Sequence, residues 1–262
     1  MVKRTMRTQL GIHAVSLLGL SIILFPISIL IYGSFQGGGV NNYVQILTKY
    51  HIYTYFINSL IIAVMTVFVV VLLDVLAGFA FSKLNFPLKR FFFIFILSAL
   101  LLPGASILVP IFQINSRLGL INSYLALLGP YVVTIAPFNL LMVKNGFDEV
   151  PDSVLEASLL DGCSAGRSMW SIALPMCRPS LVMAFIWTML SSWNEYLFAF
   201  VMLRSEAMMT ITVIPNKFQS MYGGRVGMLY SALFIILLPS IIIYFIMQKF
   251  IVVGLNAGSV KQ

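Results

Sequence analysis

The chain has 262 residues, of which 60% are hydrophobic and only 9% charged. Soluble domains carry about 25% charged residues, so this composition excludes a soluble globular enzyme or binding module. The net charge of +8 does not indicate a nucleic-acid partner, because the lysines and arginines are scattered through short segments and form no single patch.

Apolar runs near 20 residues recur, each long enough to cross a hydrocarbon core ~30 Å thick. They predict an all-α membrane protein forming one transmembrane domain over 1–262, with spans at about 10–33, 56–82, 91–114, 123–143, 180–203 and 228–250. The first span follows Lys3, Arg4 and Arg7, as a signal peptide would. Its apolar run continues to Gly33, beyond the length of a signal core, and no small-x-small cleavage site follows. It reads as an uncleaved span. With the N-terminus inside, eleven of the 16 basic residues fall on the cytoplasmic side, as the positive-inside rule requires. Both termini and the loop 144–179 are then cytoplasmic.

Gly37-Gly38-Gly39 reads as a turn or flexible joint between the first two spans. Six prolines (Pro26, Pro103, Pro110, Pro130, Pro137 and Pro239) lie at membrane depth. Each removes a backbone hydrogen bond that lipid cannot replace, so spans three, four and six line a pathway or pack as kinked helices. Asp74 and Glu195 are ionisable groups inside apolar spans, which insertion scales put at about 2.5–3.5 kcal/mol each. An interhelical hydrogen bond accounts for Asp74. Trp193, Asn194 and Glu195 together offer an aromatic face, an amide and an acceptor, suited to a polyhydroxylated ligand and equally to a polar subunit interface.

The loop from Asp152 to Pro179 holds most of the chemistry. Counting Asp148 and Glu149 just before it, five of the eight acidic residues lie here. Ser153 and Glu156 have capping-box spacing, predicting a short helix from Ser153 that stops at Asp161-Gly162. A second short helix is expected from Ala165 to Ala173, closed by Leu174-Pro175. Helices this short are marginal alone, and the first is apolar around most of its circumference. It reads as a docking element.

Glu156-Ala157, Gly162 six residues after the glutamate, then Ile172 and Leu174-Pro175 resemble the cytoplasmic coupling loop of ABC importer permeases. Ser158 stands where that family often has alanine. Ser98–Tyr124 is similar to the family's third span and following loop, and Asn58-Ser59 is a weaker match. Ser192–Glu195 resembles the Ser-Trp-Asn-Glu stretch of carbohydrate-importing permeases, and Gly254–Lys261 the tail of the maltose-type second permease subunit.

This resemblance implies a type I importer permease fold with a cytoplasmic coupling helix, in the cytoplasmic membrane of a prokaryote. Glu156, Ala157, Leu160, Asp161, Gly162, Ile172, Leu174 and Pro175 would contact the ATPase, and Trp193, Asn194 and Glu195 would line the substrate path. The implied partners are an ATP-binding subunit dimer, a second permease subunit in a heterodimer, an extracytoplasmic binding protein and a sugar. The tail is carried as a further partner contact.

No phosphate-binding loop of the G-x-x-x-x-G-K-[ST] kind occurs, and neither His13 nor His51 lies in a set of acid and nucleophile that would suit catalysis. The chain therefore reads as a non-enzyme without cofactor or metal, and Cys163 and Cys177 as reduced thiols. An ion-gradient-coupled transporter using Asp74 and Glu195, and a non-transporting membrane scaffold, are the competing readings.

Overall fold

A computed structural model describes the backbone of residues 6–219 and 225–259. Among the described residues every regular element is helical. Gly11–Ser34, Ile52–Lys83, Leu125–Asp148 and Val226–Ile246 are each long and apolar enough to cross a membrane. Two further helix pairs meet that test only when taken across sharp bends, of 102° and 81°. The chain divides into two compact units, residues 1–52 with 214–238, and 53–213 with 239–262.

In the first unit, α1 (Met6–Ser34) is exposed along most of its apolar length. Gly37 and Gly39 adopt positive φ (72° and 57°) and turn the chain into α2 (Val40–Lys49). Helix α2 falls between the first two predicted spans, where no helix was expected, and its buried face is only Asn42 and Ile46. Asn42 Nδ2 donates to the Ser34 and Gln36 carbonyls at 2.9 and 3.0 Å, which closes the turn. The beginning of α12 (Val226–Ser259) packs on the same turn: Ser231 Oγ donates to the Ser34 carbonyl, and a Cβ on Gly227 would overlap the Gln36 carbonyl oxygen. Because α12 continues to Ser259, residues 254–259 extend a helix and are not a loose tail. Val260 and Lys261 lie outside the described residues.

In the second unit, α3 (Ile52–Lys83) runs unbroken for 32 residues, about 48 Å at 1.5 Å per residue. The third apolar stretch is not the straight span expected over 91–114. It is α4 (Lys89–Ser98), a 3₁₀ turn over Ala99–Leu101, and α5 (Gly104–Arg117), with the two arms bent by 102°. Leu102 is extended (ψ 112°), the conformation a following proline imposes, and Pro103 caps the next helix. By contrast α6 (Leu125–Asp148) holds two prolines without a break. The missing N–H of Pro130 would have bonded the Ala126 carbonyl; buried Asn115 donates to that carbonyl instead, at 2.9 Å.

The segment after α6 contains α7 (Asp152–Leu160), α8 (Ala165–Ser168), a π turn over Met169–Ala173 and α9 (Leu174–Met176). Pro175 therefore does not close the second short helix as expected. The wide π turn just ahead of it relieves the clash of its ring with the carbonyl four residues back, and the break falls at Cys177. The fifth apolar stretch, expected over 180–203, is also interrupted. α10 (Arg178–Trp193) stops, residues 194–196 are non-helical, and α11 (Leu197–Met202) resumes.

Two apolar clusters hold this unit. One packs Ile62 and Val70 of α3 against Leu127, Tyr131, Phe198 and Met202. The other gathers Val75, Phe79, Val143, Phe147, Val150, Met169, Ala173, Cys177 and Ala184. Helices α6 and α10 approach closely: a Cβ on Gly146 would come within 2.6 Å of Ser180 Cβ.

Candidate functional site

Two regions gather the residues singled out from sequence. The first is the α7–α9 loop. The chain enters α7 one residue earlier than predicted, because the Pro151 carbonyl already accepts the Val154 amide at 3.1 Å. Ser153 thus sits inside the helix, the N-cap is Pro151 without a side-chain cap bond, and the expected capping box does not form. The C-terminus follows the prediction. Cys163 N–H donates to the Ser158 carbonyl and Gly162 N–H to the Leu159 carbonyl, both at 3.0 Å, with Gly162 at φ +84°. That paired closure depends on a left-handed residue, which glycine adopts without Cβ strain.

Inside the loop, the hydroxyls of Ser158 and Ser168 are 2.7 Å apart and buried, joining α7 to α8. Ser158 Oγ also donates to the Leu155 carbonyl. The serine at the family's alanine position thus acts as a tie between the two short helices. Ser164 caps α8 by accepting the Arg167 amide. Met169 and Ala173 insert into the core beside Phe79 and Phe147. Facing outward are Glu156, Ala157, Leu159, Leu160, Asp161, Gly162 and Pro175, with Leu160 90% exposed. Ile172 is half-buried, and Leu174 packs against the core cluster, so it turns away from the exposed face.

The second region is the α10–α11 break. Here the three residues predicted together separate. Trp193 is buried, edge-on to Phe56 with ring centroids 5.1 Å apart. The Glu195 carboxylate caps α11: Oε1 accepts the Phe198 amide at 2.8 Å and Oε2 the Ala199 amide at 3.1 Å. Oε2 also accepts the Tyr131 hydroxyl at 2.8 Å, and the Glu195 carbonyl accepts Thr212 Oγ1. Only Asn194 is exposed; its Oδ1 accepts Ser240 Oγ at 3.3 Å. Beside it Tyr196 and Phe200 stack at 5.4 Å and 16°, both partly open.

Three other polar residues of the apolar helices bind neighbouring segments. Asp74 is buried within hydrogen-bonding reach of Asn139, whose Nδ2 donates to the Ala184 carbonyl and to Thr188 Oγ1. Asn58 Nδ2 donates to the carbonyls of Ala207 and Met209, and Ser59 Oγ accepts the Ile211 amide. Sequence reasoning missed Tyr131, Thr212 and Ser168. Tyr131 carried a visible signal, a hydroxyl next to a proline in an apolar span.

Long apolar helices, some of them broken, with a compact helical loop between α6 and α10, are the mark of a polytopic membrane protein. The particular family follows from comparison: the chain belongs to the binding-protein-dependent transport system inner membrane components, matched over residues 74–252. A probable ABC transporter permease protein of Bacillus subtilis, YurM, is 35% identical over 208 residues, covering 79% of this chain and 69% of that one. The maltodextrin transport system permease protein MalD of Streptococcus pneumoniae is 29% identical over 99% of this chain and 98% of its own. Among solved structures, a bacterial ABC transporter that imports the acidic polysaccharide alginate superposes with a TM-score of 0.79 at 22% identity, covering 95% of this chain and 99% of that one. That likeness concerns the fold.

Proposed function

We propose that this chain is one permease subunit of an ATP-driven importer of sugars or oligosaccharides in the cytoplasmic membrane of a prokaryote. Six crossings leave both termini inside; the broken stretches 91–114 and 180–203 supply the third and fifth. A separate ATPase dimer docks on the α7–α9 loop through Glu156, Ala157, Leu160, Asp161 and Gly162, with Ile172 and Pro175 at its edge and Leu174 anchoring it from within. A second permease subunit completes the pathway, and an extracytoplasmic binding protein delivers the substrate. ATP binding displaces the loop, and the bent helices open the cavity to one side at a time.

The observation that carries this reading is the exposed Leu159-Leu160 pair on a helix whose other side is locked into the core. A large apolar residue held 90% exposed by a folded scaffold is what a docking surface requires. Carbohydrate as cargo is supported by relatives named for maltodextrin, arabinooligosaccharides and diacetylchitobiose. On this reading Asn194 with the Tyr196–Phe200 stack faces the sugar, while Trp193 and Glu195 shape the joint behind it. The ion-coupled alternative loses support at Glu195, whose carboxylate is already committed to three donors.

The test is a photocrosslinker at position 160 in cells carrying the intact transporter, followed by ATPase assays of the purified complex with candidate oligosaccharides and the binding protein. Capture of an ATP-binding polypeptide and sugar-stimulated hydrolysis are expected. Uptake driven by an ion gradient without any ATPase would overturn the proposal.

A further inference from the structure

The end of α3 is fastened to the segment that enters α7. Lys83, the last residue of α3, places its ammonium 2.6 Å from the Val150 carbonyl and 2.6 Å from the Asp152 carboxylate. Next to it Ser82 Oγ donates to the Asp148 carboxylate at 2.7 Å, and Lys144 pairs with the same carboxylate. Asp152 is the first residue of α7, so the ties reach the coupling helix itself.

The two partners of the ion pair are unequal. The Lys83 side chain is 9% exposed, whereas that of Asp152 is 77% exposed. An exposed ion pair alone adds little stability. Here, however, the ammonium is packed against the chain and held by the carbonyl of buried Val150. The arrangement fixes position more than it adds energy.

Among the helices of this unit, α3 is also the one suited to carry a displacement. It is continuous over 32 residues with no proline inside. Helix α5 and helix α6 contain prolines, and α10 ends in the 194–196 break. Close packing continues the attachment above the clamp. A Cβ on Gly78 would stand 3.2 Å from the Lys144 amide nitrogen, and Phe79 packs edge-on to Phe147 with centroids 5.5 Å apart.

We infer that Lys83 is a positioning residue that locks α7 to α3, so that a displacement of the coupling helix enters the membrane along α3. This rests on the docking reading of the α7–α9 loop and names the route by which that loop acts.

The experiment places spin labels at two exposed positions, Ser153→Cys on α7 and Phe68→Cys on α3, in a Cys163→Ser, Cys177→Ser background. Position 68 lies about 22 Å along α3 from the clamp, within range of dipolar spectroscopy. The complex with its ATPase subunits is measured without nucleotide and trapped with ATP and vanadate. With Lys83 present, one narrow distance should persist in both states. Lys83→Met should broaden or shift it on trapping, and Lys83→Arg should restore it. Should Lys83→Met fail to assemble, Asp152→Asn removes the ion pair, keeps the Val150 bond and should give a smaller broadening. Crosslinking of position 160 to the ATPase in an otherwise wild-type chain is scored separately, and its absence removes the docking reading. If crosslinking holds and the distance in Lys83→Met, or in Asp152→Asn where that variant is used, stays narrow in both states, the lock alone is refuted.

Discussion

Glu195→Gln separates the two roles open to that residue. As a cap, the carboxylate serves three donors with two oxygens: Phe198 N–H on Oε1, Ala199 N–H and the Tyr131 hydroxyl on Oε2. Glutamine retains one acceptor oxygen. With that oxygen in the Oε2 position, the Phe198 amide faces an NH₂ group and goes unsatisfied, costing about 1–3 kcal/mol. The two surviving bonds lose their charge assistance, roughly 1 kcal/mol more. Relief from burying a charge offsets part of this. The expected net loss is about 2 kcal/mol, and Glu195→Ala, which also orphans the Tyr131 hydroxyl, should lose more. The natural reporter is Cys177, which is 2% exposed and whose thiol burial pushes up to about 11. In a Cys163→Ser background a thiol-reactive fluorophore reports unfolding through Cys177, compared as a rate at fixed temperature because membrane-protein unfolding is commonly irreversible. Glu195→Gln should unfold several-fold faster than wild type, and Tyr131→Phe should fall between them. Wild-type unfolding in Glu195→Gln together with lost transport would refute the cap and return Glu195 to the substrate.

Glu156→Ala should leave stability within about 0.5 kcal/mol of wild type, since no capping bond exists to lose, while ATPase stimulation falls; the same Cys177 unfolding assay and a hydrolysis assay check both halves. Gly146→Ala should destabilise by about 1–3 kcal/mol, because the added methyl would lie within 2.6 Å of Ser180 Cβ; its unfolding rate measures this. Maleimide should modify Cys163 well before Cys177 in the folded protein, read by peptide mass after a brief pulse, as Cys163 is partly exposed and Cys177 is buried with a raised thiol.

Much of the architecture was legible because membrane helices are written in long apolar runs. The stretches at 10–33, 56–82 and 228–250 each fall within a continuous helix, and 123–143 does so from Leu125 onward. The bends were not legible. Several prolines sit at membrane depth, yet Pro130 and Pro137 lie inside an unbroken α6 while Pro103 ends a helix. The difference rests on non-local facts, such as Asn115 reaching the carbonyl that Pro130 frees. Caps divided in the same way. The glycine closure at Gly162 is local and was readable. The capping box at Ser153 failed because the Pro151 carbonyl starts the helix one residue sooner. Glu195 looked like a ligand residue because the apolar run hides the break that makes it the cap of Phe198 and Ala199, and its third donor, Tyr131, is 64 positions away.

The broken and unbroken helices also divide the labour of the fold. The joint at Leu102-Pro103 bends its arms by 102°, and that at Cys177 by 81°; the 194–196 joint is held by one carboxylate. Helix α3, by contrast, is continuous and free of proline, and the C-terminal end of α6, beyond its two prolines, interlocks with it where Gly78 meets Val143 and Lys144, with the α7–α9 loop packed on their ends through Val150, Met169 and Ala173. A force applied at the loop therefore meets the α3–α6 contact before the joints at Leu102-Pro103 and 194–196, with the Cys177 joint at the loop's own end. Substitutions that loosen this contact, such as Gly78→Ala, whose added methyl would press on Val143 and Lys144, should uncouple hydrolysis from transport, whereas those at the joints, such as Glu195→Gln, should alter how the pathway opens while hydrolysis continues. Measuring both rates on the same two variants distinguishes these outcomes, and identical ratios of transport to hydrolysis in the two would contradict the division.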